Sequence, residues 1–252
     1  MSDPRSLRDK ETAYGIWSVT GDPAIVDAAA AAGPDFVVVD TQHGVDLGRL
    51  DASLFTVLAH YGVAGLVRVP AIHPTPIGRA LDLGASGVIV PLVESADDAE
   101  KAVAATRYAP SGKRSYGMQT LRVGAFEQEP FVAIQIETAA AVGYVDAIAA
   151  VGGVDALYIG PADLGLGLGG EPAADVNEVF DGNHPLSDEL IAAFSAVVAE
   201  CRGHGIVAGL HVGDGATAAR AREHGFTFAS VSADVGLIGS GLARELKTAR
   251  ES

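Results

Sequence analysis

Apolar runs recur along the whole chain, and several of them stop at a residue able to do chemistry. Phe36-Val37-Val38-Val39 stops at Asp40, with His43 close behind. Gly65-Leu66-Val67 stops at Arg68. The run from Phe131 to Ile134 leads into Gln135, Ile136 and Glu137, and Ala156-Leu157-Tyr158-Ile159 leads into Gly160, Pro161, Ala162 and Asp163. Short runs rich in Val, Ile and Phe suit strands buried on both faces. They predict strands over 14–18, 36–40, 65–69, 87–93, 131–137, 156–160, 206–212 and 226–232. Helical patterns fall between them, over 23–32, 47–61, 75–83, 96–108, 138–151, 187–204, 215–224 and 235–250. This alternation predicts a (β/α)8 TIM barrel, an α/β fold in a single domain over 14–252, preceded by a polar N-terminal segment over 1–13. A doubly wound open sheet is the competitor. No GxGxxG opens a helix after the first strand, which weakens its dinucleotide-binding version. In a barrel the C-terminal strand ends all open on one face, so these distant residues would share one pocket.

The charge balance narrows the partners. Lys plus Arg total 17 against 32 Asp plus Glu, a formal charge of -15. That argues against a nucleic-acid partner, since phosphate contacts need a basic surface. An anionic substrate would need a local positive centre. Cys201 is the one cysteine, so no intrachain disulfide or thiolate metal cluster is available, which fits a reducing compartment. Residues 1–12 lack the apolar core of a signal peptide, and no apolar stretch suits a bilayer. The expectation is a cytoplasmic protein with no membrane partner.

Four groups of residues stand out chemically. Glu137 and Asp163 both fall at strand ends, and two converging carboxylates make an oxygen-rich site suited to Mg²⁺ or Mn²⁺. Equally, Glu137 would cap the next helix and Asp163 would order a turn. Asp40 stands beside His43, where a carboxylate can orient an imidazole as a general base. Arg68 interrupts Leu66-Val67-Arg68-Val69-Pro70, where an unpaired charge is costly to bury. It requires either an internal carboxylate, Glu137 or Asp40, or an anionic ligand. His211 ends the seventh predicted strand without a partner evident in sequence, and the glycines at 213, 215, 236, 239 and 241 read as turns. Lys10, Lys101, Lys113 and Lys247 all lie off the predicted strands, so a Schiff-base mechanism has no lysine inside the barrel. The connection from Tyr108 to Pro130 and that from Leu164 to Pro185 are long, and the second should overhang the catalytic face.

Taken together, several segments carry a resemblance. They are Val39-Asp40-Thr41-Gln42-His43-Gly44, Val67-Arg68-Val69-Pro70, Ala80-Leu81-Asp82-Leu83-Gly84, Val90-Pro91-Leu92-Val93, Gln135-Ile136-Glu137-Thr138 and Ile159-Gly160-Pro161-Ala162-Asp163-Leu164. With Ala105-Thr106-Arg107-Tyr108-Ala109-Pro110, they resemble the HpcH/HpaI class II aldolases, metal-dependent pyruvate aldolases, over nearly the whole chain. The resemblance implies a lyase that reversibly cleaves a 4-hydroxy-2-oxo acid into pyruvate, or a close 2-oxo acid, and an aldehyde through a metal-stabilised enolate. It implies Glu137 and Asp163 as ligands of Mg²⁺, Mn²⁺ or Co²⁺, with Gln135 beside the ion. It further implies Arg68 at the pyruvyl oxygens and Asp40 with His43 as the acid–base pair. Gly160, Ala162 and Asp163 would offer backbone contacts to the substrate carboxylate, Trp17 would line the pocket, and Asp82 would reach a neighbouring subunit's site. A homohexamer, as a trimer of dimers, with the last helix packed on a partner barrel is also implied. The chain departs from the family at Gln42, where Glu is common, at Arg114-Ser115-Tyr116-Gly117, and from Gly165 to Pro185. The competing readings are an acyl-CoA lyase of the citrate-lyase type, a non-catalytic metabolite-binding barrel and a phosphosugar isomerase.

Overall fold

Apolar residues, valine and alanine most often, fill the strands because both strand faces are buried. The strands are β1 (Ala13–Ser18), β2 (Phe36–Asp40), β3 (Ala64–Arg68), β4 (Gly87–Val90), β5 (Phe131–Ile136), β6 (Ala156–Ile159), β7 (Val207–His211) and β8 (Phe228–Ala233). In a computed structural model that describes residues 4–45, 50–117 and 129–251, they pair in parallel and in sequence order into a closed barrel. The predicted helix start over 47–49 and the loop residues 118–128 lie outside the described residues.

Helices wrap the barrel: α1 (Pro23–Ala31), α2 (Ala52–Tyr61), α3 (Pro74–Asp82), α4 (Ala96–Thr106), α5 (Ala139–Gly143), α6 (Val145–Ala149), α7 (Pro161–Gly167), α8 (Val176–Phe180), α9 (Ser187–His204), α10 (Gly215–Glu223) and α11 (Asp234–Glu251). Their ends follow side-chain chemistry. The Asp22 carboxylate accepts the Ala24 and Ile25 N–H groups, and Ser95 Oγ accepts that of Asp98. Gly62 and Gly205 stop α2 and α9 in the left-handed conformation.

Some expectations need correction. The helix expected over 138–151 is two helices, α5 and α6, meeting at Tyr144. The connection from Leu164 to Pro185 is not a plain loop, since α7 runs into it and it contains all of α8. Asp214 caps α10 at Gly215, and Gly236, Gly239 and Gly241 lie inside α11 rather than in turns.

Two apolar layers result. Between barrel and helices pack Val37, Val39, Leu58, Ile77, Val103, Ile134, Phe194 and their neighbours. Inside the barrel lie Trp17, Phe36, Leu66, Phe131, Tyr158 and Phe228, with Phe36 stacked on Phe228 at 4.2 Å between ring centroids. Gly15 is required there, because a Cβ on it would lie 2.4 Å from the Phe36 ring. The polar segment ahead of β1 joins this interior. Its short 3₁₀ helix (Pro4–Arg8) buries Leu7 in the barrel, and Arg8 reaches Asp155 at 3.1 Å and the Gly205 carbonyl at 3.0 Å.

Helix α11 behaves differently from the others. Only its first residue, Asp234, is buried, while Val235, Leu237, Ile238, Leu242 and Leu246 are exposed. Its root is fixed: the Asp234 carboxylate accepts hydrogen bonds from Ser18 Oγ, Thr20 Oγ1 and the backbone N–H groups of Val19 and Thr20. An apolar groove of about 500 Å³, lined by Ile16, Ile25, Ala28, Ala29, Val231 and Leu237, lies beside it. No helix among the described residues is long and apolar enough to cross a membrane.

Candidate active site

The C-terminal strand ends surround a cavity of about 370 Å³. Trp17, Asp40, His43, Arg68, Gln135, Gly160, Ala162 and Asp163 line it, together with Tyr158, Ala174 and His211. Seven strands contribute side chains or loops, as expected where catalytic groups sit at the open face of a barrel. Ala174 comes from the long connection after α7, which therefore does reach this face.

Asp40 and Arg68 are neighbours because parallel pairing of β2 with β3 sets them side by side. Arg68 Nε donates to Asp40 Oδ1 at 3.0 Å and Nη2 to Oδ2 at 2.5 Å. The carboxylate also accepts Trp17 Nε1 and the backbone N–H groups of Gln42 and His43. Burial pushes the Asp40 carboxyl up, but the hydrogen bonds and charge of Arg68 outweigh it and hold it below the usual range. Of the partners open to Arg68 in sequence, the structure therefore selects Asp40. The expected Asp40–His43 side-chain pair is not formed. Asp40 holds the backbone of His43, and among the described residues no hydrogen bond reaches the exposed imidazole. Asp40 positions His43 by shaping its turn. Arg68 Nη1, the remaining arm of the fork, has no hydrogen-bond partner among the described residues, and the guanidinium lines the cavity 5.0 Å from the Trp17 ring centroid.

Glu137 is 2% exposed. It does not cap the following helix, since Thr138 does so by accepting the Ala141 N–H. Instead Glu137 Oε1 accepts the Leu92 N–H at 2.7 Å, and Oε2 accepts Gln135 Nε2 at 2.5 Å. Leu92 holds a positive φ of 56°, unusual for a side-chain-bearing residue, and this conformation delivers its N–H to the carboxylate. Burial raises the Glu137 carboxyl above its ordinary range, and the nearby Asp163 charge adds to the rise. Asp163, in the first turn of α7, is exposed to the cavity. Gln135 Oε1 is buried without a hydrogen-bond partner. A buried carboxylate raised in part by the neighbouring Asp163 charge, with Asp163 itself and an orphaned amide oxygen beside it, makes a donor set that fits a hard divalent cation. Gly160 leaves that room: a Cβ there would lie 2.5 Å from Gln135 Nε2 and 3.0 Å from Glu137 Oε2.

Asp82 is not brought to this pocket in its own chain. It ends α3, where it pairs with Arg114 at 2.7 Å. Among the described residues, lysine and thiol chemistry is absent from the cavity. None of the lysines lines it, and Cys201 is buried with its thiol pushed up to about 12. Sequence reasoning passed over Tyr158 and treated His211 as isolated. Its partner is Ser230, 2.7 Å from His211 Nδ1 and 2.8 Å from the Tyr158 hydroxyl.

Fold and site together define a barrel enzyme whose open strand ends gather an arginine and several carboxylates around one cavity. The HpcH/HpaI aldolase/citrate lyase family model matches residues 13–240, and the chain belongs to that family. It is 33% identical to a hydroxypyruvate/pyruvate aldolase of Paraburkholderia phytofirmans, with 93% of each chain covered. It is 32% identical to a 4-hydroxy-2-oxovalerate aldolase of Rhodococcus jostii, over 93% of this chain and 90% of the relative. The solved structure of an HpcH/HpaI aldolase/citrate lyase family protein from Burkholderia cenocepacia superposes with a TM-score of 0.85 at 32% identity, covering 98% of each chain.

Proposed function

We propose that this protein is a divalent-metal-dependent aldolase, a carbon–carbon lyase that reversibly cleaves a 4-hydroxy-2-oxo acid into pyruvate, or a close 2-oxo acid, and an aldehyde. The observation that carries this reading is that Arg68 lines the same cavity as Asp163 and Gln135, with the buried Glu137 carboxylate held against Gln135. Glu137 and Asp163 would hold Mg²⁺, Mn²⁺ or Co²⁺, with Gln135 beside it. Such an ion supplies Lewis acidity to the 2-oxo carbonyl. The backbone of Gly160, Ala162 and Asp163 contacts the substrate carboxylate, where the first turn of α7 has no side-chain cap. Arg68 Nη1 faces the 2-oxo oxygen and stabilises the negative charge that grows there. His43 takes the proton of the C4 hydroxyl, the C3–C4 bond breaks, and the electron pair passes into an enolate on the 2-oxo acid half. Protonation at C3 completes the cycle. Trp17 forms the apolar wall beside Arg68.

The test is a pyruvate-release screen over a panel of 4-hydroxy-2-oxo acids, with and without EDTA and added divalent metal. Release is expected on at least one member, lost in EDTA and restored by Mg²⁺, Mn²⁺ or Co²⁺. Turnover undiminished in excess chelator, or no release from any member beside cleavage of a CoA thioester, would overturn the assignment.

The reading extends to assembly and location. The apolar face of α11 and the groove beside it support a homo-oligomer, a hexamer of paired barrels in which α11 packs on a partner. Sedimentation velocity is expected to give a hexamer. A monomer at micromolar concentration would refute it. Cys201, buried and unpaired, fits a cytoplasmic setting.

A further inference from the structure

Behind the groups assigned above lies a polar chain that the proposed reaction does not use. Tyr158, on β6, is wholly enclosed inside the barrel and stacks on Trp17 at 5.7 Å between centroids. Its hydroxyl meets Ser230 Oγ on β8 at 2.8 Å, and the same Oγ meets His211 Nδ1 on β7 at 2.7 Å. The His211 ring stands edge-on to Trp17 at 5.2 Å and lines the cavity.

The direction of these hydrogen bonds follows from counting protons. A buried hydroxyl must place its proton on an acceptor. Among the described residues the one side chain that Tyr158 meets is Ser230, so Tyr158 donates to Ser230 Oγ. The serine proton is then free to go to His211 Nδ1. Nδ1 is an acceptor, and the ring proton sits on Nε2. Burial and the nearby Arg68 charge lower the His211 pKa to about 4, so the ring is neutral at physiological pH. Nε2 has no hydrogen-bond partner among the described residues, and it is not among the buried unpaired atoms. It is a neutral donor of fixed tautomer, open to the cavity.

We infer that His211 is a specificity-determining residue whose Nε2–H donates to a hydroxyl of the substrate, so that the enzyme prefers a hydroxylated partner over its deoxy analogue. The inference rests on the aldolase reading. A site built to hydrogen-bond a hydroxyl discriminates against the analogue lacking it, because its own donor is then left unpaired. A neutral donor suits a hydroxyl, whereas the carboxylate already has Arg68 and α7 nearby. The hydroxyl belongs either to C3 of the 2-oxo acid half or to the aldehyde half.

Two arms separate these sources. In the first, pyruvate and 3-hydroxypyruvate are titrated into the metal-loaded enzyme, and binding is read from the fluorescence of Trp17, the chain's one tryptophan. In the second, propanal and 2-hydroxypropanal are compared as aldol acceptors by kcat/KM. The wild type should favour the hydroxylated member in one arm. His211→Leu should reduce that ratio by roughly threefold to tenfold, the worth of one neutral hydrogen bond. His211→Gln, which keeps an N–H donor, should recover part of it. Ser230→Ala removes the group that fixes the tautomer and should lower the ratio in the same arm, which keeps the test open if His211→Leu does not fold. Ratios unchanged in both arms, or equal weakening of both members of each pair, would overturn the inference. A hydroxyl preference read by fluorescence in an enzyme that releases no pyruvate from any 4-hydroxy-2-oxo acid would refute the aldolase reading while leaving the His211 donor standing. Binding of neither 2-oxo acid, with no aldol addition, would overturn both.

Discussion

His43→Ala is expected to slow aldol cleavage by about 10²–10⁴-fold, the usual contribution of a positioned general base. The imidazole lies exposed at the cavity mouth and makes no hydrogen bond to the described residues, so its removal costs little packing. Its effect should therefore fall on the rate and not on the fold. Pyruvate binding should survive, because His43 acts on the aldehyde side of the bond. Exchange of the pyruvate methyl protons in D₂O, which needs only the 2-oxo acid half, should also persist. The measurement is cleavage rate beside methyl exchange in the same preparation. Normal cleavage by the variant would remove His43 from the mechanism.

Arg68→Ala should fail in a different way and by more than one route. Its side chain is 11% exposed and that of Asp40 only 3%, so truncation strands a buried carboxylate. Breaking such a pair from one side typically costs about 3–5 kcal/mol of stability. The same change removes the cationic arm from the cavity, so pyruvate binding and methyl exchange should both drop. Arg68→Lys should restore stability in part and catalysis poorly. An ammonium cannot meet both Asp40 oxygens and still offer an arm to substrate. Urea unfolding and D₂O exchange on both variants check this. An Arg68→Ala protein with wild-type stability and wild-type exchange would mean that the ion pair and the substrate contact are both misassigned.

Much of the barrel was legible because its strands are buried on both faces, leaving unbroken runs such as Phe36 to Val39 that no surface helix would carry. Boundaries were legible where one side chain decides them, as at Asp22 and Ser95. The start of α2 had the same signal in Asp51, whose carboxylate accepts the Ser53 N–H, but the expected helix began earlier. The division of α5 from α6 at Tyr144 had no such marker. Within the site, strand-end residues announced themselves, since Arg68 and Glu137 are expensive in apolar company. What sequence could not supply was pairing. Asp40 lies near His43 in the chain, yet strand register gives its carboxylate to Arg68. Ser230 joins His211 and Tyr158 only because β6, β7 and β8 are adjacent in the barrel. The Leu92 N–H reaches Glu137 through a backbone conformation that leucine does not advertise.

The Asp234 clamp has a consequence for how the chain is made. Synthesis produces β1 first and β8 last, yet these two strands are barrel neighbours. Until Phe228–Ala233 leave the ribosome, one edge of β1 has no partner, and the growing protein is an open parallel sheet with a bare strand edge. Only then can Asp234 fasten onto Ser18, Val19 and Thr20. Trp17, the residue just before them and a wall of the pocket, thus reaches its final surroundings only after β8 has been made. A pause before β8 is made would hold an unclosed sheet, and such edges are where nascent chains stick to one another.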